Sequence, residues 1–311
     1  MKGVVMSSIP GQSSLLWRSY ACTDVGTLRV VNEDAILARP EQGLWVVADG
    51  MGGHHAGDVA SRNIIDAIGA LPVFTNLGDG VGAVENALCQ VNQQLVQQAQ
   101  VRGDGSLMGS TAVILIIRGN LGVCLWVGDS RLYHLRDGQL EQLTRDHSQY
   151  EELIDLGLVS AQGSGAKKLQ RNLITRAVGA SAALYVDLNI FRVQSGDSFL
   201  LCSDGLYNVV SHEDVIQGLA AVSVEANARY LLSQALLNGA EDNVSLIVVK
   251  GTADKALIIN NSNTQSDNLE PLYSLIRQLA LSYYRQQITA EEYRIQRKQL
   301  LDTVELECNR A

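Results

Sequence analysis

The sequence predicts a mixed α+β protein, and two kinds of observation support that prediction. Short apolar runs recur along the 311 residues, and several are joined by hairpin turns such as Arg136-Asp137-Gly138-Gln139, which indicates antiparallel strands. Elsewhere apolar residues return at helical spacing, as at Ala60, Ile64 and Ile68. The chain should therefore fold into groups of strands separated by helices.

Taken in order, the elements begin with strands, pass through two helices and return to strands. The predicted strands are residues 28–31, 35–38, 44–48, 111–117, 121–127, 132–135, 140–143, 184–193, 198–203 and 244–249. The predicted helices are 60–71, 84–95, 150–156, 213–220, 226–238 and 272–283, and a last helix starts at the capping-box pair Thr289 and Glu292. The glycine-rich segment 76–82 is predicted to be a loop.

Composition excludes several classes of protein. No apolar run approaches the roughly 20 residues that span a bilayer, and the first 20 residues lack the apolar centre of a signal peptide, so we expect a cytoplasmic protein without membrane insertion. The net charge of −9 argues against binding to nucleic acid. Five cysteines without a CxxC pair favour neither a disulfide framework nor a zinc site.

The sequence divides into a large body and a short tail. We expect a body at residues 1–251, a linker at 252–268 that contains Asn260-Asn261-Ser262-Asn263, and a helical module at 269–311. Within the body, the polar segment 145–180 has little periodicity between two firm groups of strands. Such a segment is typical of a functional flap rather than a packing element.

Four aspartates share one context, because each lies beside an apolar strand. They are Asp49, Asp129, Asp204 and Asp242. Any one of them could belong to an ordinary Asp-Gly turn, which is the simpler interpretation of a single case. Four such cases favour a shared site over ordinary turns, since a solvent-exposed turn does not need to follow an apolar strand. The first strands add Glu33 and Asp34 to this set.

Carboxylates gathered at one end of a sheet repel one another unless cations neutralise them. Oxygen ligands without histidine or cysteine favour Mg²⁺ or Mn²⁺ over zinc. Arg29, which lies close to Glu33 in the sequence, could bind a phosphate dianion beside two such ions, although alone it would read as a surface charge. Two hard cations can activate a water for in-line attack on phosphorus, which predicts a phosphoester hydrolase without a covalent enzyme intermediate.

Six motifs carry a resemblance to a known family. They are Arg29-x-x-Asn32-Glu33-Asp34, Asp49-Gly50-Met51-Gly52-Gly53-His54, Gly109-Ser110-Thr111, Gly128-Asp129-Ser130-Arg131, Ser203-Asp204-Gly205 and Glu241-Asp242-Asn243. In this order they resemble the motifs of the metal-dependent protein phosphatases of type 2C, over about residues 18–250. The resemblance implies two packed antiparallel sheets with helices on both outer faces, and hydrolysis of phosphoserine and phosphothreonine in proteins.

The resemblance also implies roles for individual residues. Asp49 would bridge two Mn²⁺ or Mg²⁺ ions and the Gly50 carbonyl would join it, while Arg29 would hold the substrate phosphate. Asp204 and Asp242 would complete the coordination of one ion. Glu33 and Asp34 would act through waters in the outer shell of the ions, and the flap at 145–180 would cover the site.

The sequence departs from the family pattern at two positions. Met51 stands where eukaryotic relatives have a histidine that could act as a general acid, and His54, three residues later, is given no such role. A third ion would use Asp129 and an aspartate four residues after Asp204, where this chain has Asn208. An amide is a poorer ligand than a carboxylate, so we expect the third ion to be weak or absent.

The run from Arg29 to Ser61 is similar to bacterial phosphatases that accompany type VI secretion systems and oppose a Ser/Thr kinase. The predicted partners are therefore phosphorylated proteins, including such a kinase. Two alternatives remain: a catalytically silent phosphoprotein-binding scaffold, and a hydrolase of small phosphoesters. The tail helices predict either a hairpin packed on the body or a module for docking or self-association.

Overall fold

A computed structural model describes residues 7–8, 15–52, 56–103, 107–158, 173–221, 223–253 and 270–310. Within these ranges there are twelve strands, eight α-helices and a short 3-10 helix at Pro40–Gln42. The strands are β1 (Ser7–Ser8), β2 (Leu15–Asp24), β3 (Asp34–Arg39), β4 (Leu44–Met51), β5 (Gly109–Ser110), β6 (Ala112–Arg118), β7 (Leu121–Val127), β8 (Arg131–Arg136), β9 (Gln139–Gln142), β10 (Asp187–Arg192), β11 (Ser198–Cys202) and β12 (Val244–Ala253). The helices are α1 (Ala56–Gly69), α2 (Leu77–Arg102), α3 (Gln149–Asp155), α4 (Asp204–Tyr207), α5 (His212–Ala220), α6 (Val224–Leu237), α7 (Glu270–Tyr284) and α8 (Ala290–Arg310).

The strands form two antiparallel sheets. One has the order β1-β2-β12-β11-β8-β9, and the other has the order β10-β7-β6-β4-β3, with β5 paired to β4. Strand β4 shows how they pack, because its side chains alternate between two cores. Trp45 and Val47 lie in the core between the sheets, whereas Leu44, Val46 and Ala48 face the core beneath α1 and α2.

The other sheet is covered in the same way on its outer face. Phe199 and Leu201 of β11 point into the core between the sheets, and Leu200 and Cys202 point into a third core with α5 and α6. The order of layers is therefore helix, sheet, sheet, helix, which confirms the predicted α+β sandwich. In the part of the chain described here, no helix is both long and apolar enough to cross a bilayer.

Two of the predicted elements are wrong. Residues 28–31 form an exposed loop instead of a strand, with Leu28 67% and Val30 94% exposed. The strand that occupies this part of the sheet is β2, which pairs with β12 along its whole length. Residues 76–82 were expected to be a loop, but α2 begins at Leu77 because the Asn76 side chain caps it by accepting from the Asp79 N–H.

Helix α8 lies against α2, helix α7 packs on α8 and β10, and both share the core beneath α2. Ile276 of α7 and Leu301 and Val304 of α8 belong to the same apolar cluster as the outer face of β4. The predicted capping box is present, since the Glu292 carboxylate accepts from the Thr289 N–H and the Thr289 hydroxyl accepts from the Glu292 N–H. Packing of the tail on the body is thus observed. Docking or self-association stays a prediction, and residues 254–268 of the predicted linker lie outside the described residues.

Candidate metal centre

The predicted acidic residues meet at one end of the two sheets. Asp34 opens β3 directly opposite Asp49 near the end of β4. Asp204 follows β11 at the first position of α4, and Asp242 precedes β12, so the second sheet brings its carboxylates to the same edge. A hydrogen bond joins the two sheets at this point, because the Ser203 hydroxyl donates to Asp34 Oδ2 over 2.9 Å.

The carboxylates are close enough to perturb one another. Burial, followed by the charges of Asp34 and Asp204, raises the pKa of Asp49 well above its ordinary value. Burial and the charge of Asp242 raise the pKa of Asp204 to about 6, and burial above all raises the pKa of Asp34 to about 7. Desolvation and mutual repulsion both oppose ionisation, so this edge is where a cation would be most strongly attracted.

Asp129 joins the same set from the end of β7. Its side chain is buried, and burial together with the charge of Asp204 raises its pKa to about 7. The Tyr207 hydroxyl donates to its Oδ2 atom over 3.2 Å, while Oδ1 has no hydrogen-bond partner. Oδ1 of Asp34 is likewise buried without a partner. Unsatisfied buried carboxylate oxygens are what hard cations require as ligands.

These residues therefore fit divalent cations such as Mn²⁺ and Mg²⁺. Among the described side chains, no three carboxylates, histidines or cysteines share a single coordination sphere. Carboxylates repel one another when no cation lies between them, so the mutual rise of their pKa values is the better indicator of where cations would bind. The donor set is entirely oxygen, which excludes a typical zinc site from this edge.

Gly50 lies at a close approach between two segments of backbone. A Cβ atom there would lie 2.2 Å from the Gly57 carbonyl oxygen at the start of α1. The Gly50 N–H donates to the Glu33 carbonyl over 3.2 Å, which links β4 to the acidic run at Glu33 and Asp34. A side chain at position 50 would push α1 away from this edge, so the motif requires glycine here.

Arg29 lies at the rim of the site in the exposed loop. Its Nη2 atom donates to Asp242 Oδ2 over 2.8 Å, and the guanidinium remains about half exposed. That bond and the charge of Asp242 raise the pKa of Arg29, with smaller contributions from Glu33 and Asp49. Beside it is an open cavity of about 790 Å³ that Asp204, Asn208 and Glu241 also line. Arg29 can therefore meet an anion that enters the cavity.

Asn208 stands where a third ion would need a carboxylate. Its Nδ2 atom donates to Asp204 Oδ2 over 3.1 Å, so the amide supplies a donor rather than an additional anionic ligand. This contact opposes the rise in the pKa of Asp204. His54 lies outside the described residues, as do residues 159–172 of the predicted flap.

Sequence reasoning gave no role to several polar residues that hold the site together. The Asn243 side chain accepts from the Glu33 N–H and donates to the carbonyls of Val25 and Val31, so it fixes the loop that carries Arg29. Thr111 accepts from the Asp49 N–H through its hydroxyl. Both residues belong to the six motifs of the sequence, and this was the sign that they have a role. Their hydrogen bonds connect segments far apart in the chain, so the sequence could not indicate which contacts they make.

Comparisons with known proteins agree with this geometry. A sequence profile described as "Protein phosphatase 2C" matches residues 29–238. The chain is 35% identical to the serine/threonine protein phosphatase PstP of Mycobacterium tuberculosis over 235 residues, which cover 76% of this chain and 45% of PstP. It is 34% identical to the serine/threonine phosphatase stp of Listeria welshimeri, covering 73% of this chain and 93% of that relative. The chain thus spans less than half of PstP.

Solved structures extend the similarity to the fold. PppA of Pseudomonas aeruginosa, described as a key regulatory component of T6SS, matches with a TM-score of 0.70 and 42% identity, covering 79% of this chain and all of that one. The catalytic domain of PstP in complex with two manganese ions matches with a TM-score of 0.68 and 34% identity, covering 76% of this chain and 99% of that domain. The family prediction is confirmed: this chain belongs to the protein phosphatase 2C family.

Proposed function

We propose that this chain is a metal-dependent phosphoprotein phosphatase that hydrolyses phosphoserine and phosphothreonine with two Mn²⁺ or Mg²⁺ ions. The observation that supports it best is the edge where Asp34 is buried, Asp49 and Asp204 are partly buried, and the pKa values of all three are raised. A PstP structure holds two manganese ions in the same fold. Asp49 would serve both ions, the Gly50 carbonyl would reach one of them, and Asp204 and Asp242 would complete the coordination of one ion.

The chain's own residues would bind and orient the substrate. Arg29 would release Asp242 to a cation and turn its guanidinium to the phosphate, which it can grip through two parallel N–H donors. Glu33 and Asp34 would orient waters from the outer shell. The bound ions would neutralise the carboxylates, activate a water and stabilise the charge that develops on the phosphoryl group. Met51 offers no proton to the leaving group, so no general acid is assigned.

Replacement of the shared ligand tests this function. We expect Asp49→Ala and Asp204→Ala each to reduce hydrolysis of p-nitrophenyl phosphate and phosphothreonine peptides by more than about 100-fold, because loss of even an outer-shell partner costs about 10- to 100-fold. Asp66→Ala is the matched control, since Asp66 is an exposed aspartate in the second half of α1. Full activity in both site variants would refute the proposal, provided that circular dichroism shows an intact fold.

The same assay separates the alternatives. A scaffold would bind phosphoprotein without metal-dependent turnover, and a small-phosphoester hydrolase would favour nucleotides over phosphopeptides.

We further propose that the chain acts in the cytoplasm and reverses a bacterial Ser/Thr kinase linked to type VI secretion, since PppA is described as a regulator of such a system. An autophosphorylated kinase encoded beside this chain is the substrate to test. The tail helices α7 and α8 remain candidates for docking or self-association.

A further inference from the structure

We propose that His147 is a positioning residue for the metal centre: it holds the turn Gly128–Ser130 against Thr111 and thereby fixes Asp49. His147 contacts neither the cavity beside Arg29 nor any proposed ligand side chain, and neither the sequence motifs nor the comparisons assign it a role. The inference rests on the proposed function, because Asp49 matters as a ligand only if the site binds cations. The proposed role of His147 is to hold the backbone that positions Asp49, not to bind a cation.

Two hydrogen bonds determine the state of the His147 ring, which is buried and stacks on Trp126. The Gly128 backbone N–H points at Nδ1 over 3.0 Å, and a backbone N–H can only donate, so Nδ1 must be the acceptor. The proton is therefore on Nε2, which lies 3.0 Å from Asp187 Oδ2 and donates to it. The ring is neutral in this arrangement, and each nitrogen has a separate task.

The turn that His147 holds is packed directly on Thr111. Gly128 has a φ of +103°, and a Cβ atom there would lie 2.6 Å from the Thr111 side chain, so the contact admits only glycine. The hydroxyls of Ser130 and Thr111 are 2.7 Å apart. Release of the Gly128 N–H from His147 would leave a buried donor unpaired and free the turn to move away from Thr111.

Thr111 in turn holds the backbone of Asp49 from both sides. Its hydroxyl accepts from the Asp49 N–H over 3.1 Å, and its own N–H donates to the Asp49 carbonyl over 2.8 Å. An unbroken series of contacts thus runs from the His147 ring through Gly128 and Thr111 to the proposed bridging ligand. A ligand must be held to a fraction of an ångström to serve two cations, so looser support should weaken cation binding.

His147 also closes the base of the predicted flap. Its N–H donates to the Gly128 carbonyl over 3.0 Å, and its carbonyl accepts from the Thr175 N–H over 2.8 Å. Asp187, which accepts from the ring, also pairs with Arg176 at 3.5 Å. One residue therefore joins both sides of the flap base to the turn that supports Asp49.

Two substitutions separate the tasks of the two ring nitrogens. His147→Asn places an amide oxygen near Nδ1 and keeps the acceptor for Gly128, whereas His147→Gln places an amide nitrogen near Nε2 and keeps only the donor for Asp187. We expect His147→Gln to weaken Mn²⁺ binding by about 10-fold, the lower range for loss of an outer-shell partner. His147→Asn should keep an affinity close to that of the wild type. His212→Gln, at an exposed histidine of α5, is the control.

Calorimetric titration of the purified 311-residue chain with Mn²⁺ is the measurement, and thermal unfolding of the same variants is followed beside it. Each His147 variant loses one buried hydrogen bond, so Tm should fall comparably in both while Mn²⁺ affinity falls only in His147→Gln. Equal Mn²⁺ affinities in the two variants would overturn the proposal, because a merely structural histidine predicts that result.

A second substitution keeps the test decisive if neither His147 variant folds. Thr111→Val has the same shape but lacks the hydroxyl that joins Ser130 to Asp49, and we expect it to weaken Mn²⁺ binding by a similar factor of about 10. Unchanged affinity in Thr111→Val would overturn the proposal. Hydrolysis of a phosphothreonine peptide by the wild type is measured in parallel, and failure there would count against the proposed function while the Mn²⁺ titrations still decide the role of His147.

Discussion

Two regions of this molecule bury charged side chains, and they do so in opposite ways. At the interface between α2 and α8, Glu85 and Arg297 are both buried and lie face to face, with hydrogen bonds of 2.5 and 3.2 Å. At the metal centre, Asp34 and Asp129 are buried and Asp49 is partly buried beside charges of the same sign, and Oδ1 of Asp34 and of Asp129 has no hydrogen-bond partner. At the first interface the positive and negative charges pair with each other, whereas the carboxylates of the metal centre require a cation from outside the chain.

The difference indicates how a structural charge can be told from a functional one. Arg297 stacks on Tyr293, and further along α8 Glu305 pairs with Arg118 at 2.6 Å, so each of these charges meets a charge of opposite sign. Like charges buried together oppose folding unless cations or protons neutralise them, and such groups cluster at functional sites. Each region can therefore be tested by its response to loss of a partner.

The largest effect on stability should follow from breaking the pair at the tail. We expect Arg297→Met to lower the free energy of unfolding by about 3 kcal/mol, because buried Glu85 then loses two hydrogen bonds and keeps only the longer contact of 3.4 Å to Arg294. Urea denaturation measures this. The double variant Glu85→Leu with Arg297→Met is the control, and it should recover most of the loss since no charge is left buried. If the double variant is as unstable as the single one, the interface depends on packing rather than on paired charge.

The sequence was informative about the metal centre and much less so about this interface. Asp49, Asp204 and Asp242 could be predicted because each lies beside an apolar strand and a glycine or amide, a local pattern that repeats. Glu85 and Arg297 carry no such signal, because they lie 212 positions apart and each resembles an ordinary solvent-facing charge on a helix. Pairing at that distance is decided by the packing of α8 on α2.

The errors in the fold have a similar origin. Leu28 and Val30 look like a strand because they are apolar, yet no neighbouring strand offers them a partner and Asn243 holds their loop through its amide. The glycines at 76–82 are typical of a loop, but they lie in a helix. Positions 78 and 80 have room only for glycine, because the Asp302 and Phe74 side chains pack against them. At 28–31 tertiary contacts overrode the local preference, and at 76–82 they did so together with the cap that Asn76 provides.

The second prediction concerns pH and should separate the two regions in the metal-free protein. The pKa values of Asp34 and Asp129 are raised to about 7, and that of Asp204 to about 6, above the ordinary value near 3.9. A raised pKa in the folded state means that the folded protein binds protons more tightly than the unfolded chain. The resulting stability is present below about pH 4 and is lost as the pH rises to about 7.

Thermal unfolding in the presence of a chelator, at several values from about pH 5 to about pH 8, measures this effect. Tm should fall as the pH rises, and saturating Mn²⁺ should reverse the fall because cations then replace the protons. Asp204→Asn is the control that should reduce the slope, because it removes one of the three titrating carboxylates and its charge on Asp129. A metal-free Tm independent of pH over this range would show that the carboxylates are not held against their own repulsion.

The smallest predicted effect tests whether the metal centre can be extended by one ligand. Asn208 now donates to Asp204, so Asn208→Asp replaces a donor with a carboxylate that lies close to Asp204. We expect the variant to bind a third Mn²⁺ in titration, where the wild type binds two and holds a third weakly or not at all. Asn208→Ala removes the donor without adding a ligand, so it should leave the stoichiometry at two. A third equivalent bound tightly by the wild type would contradict the prediction, because Asp129 alone would then suffice and the amide at position 208 would not limit the site.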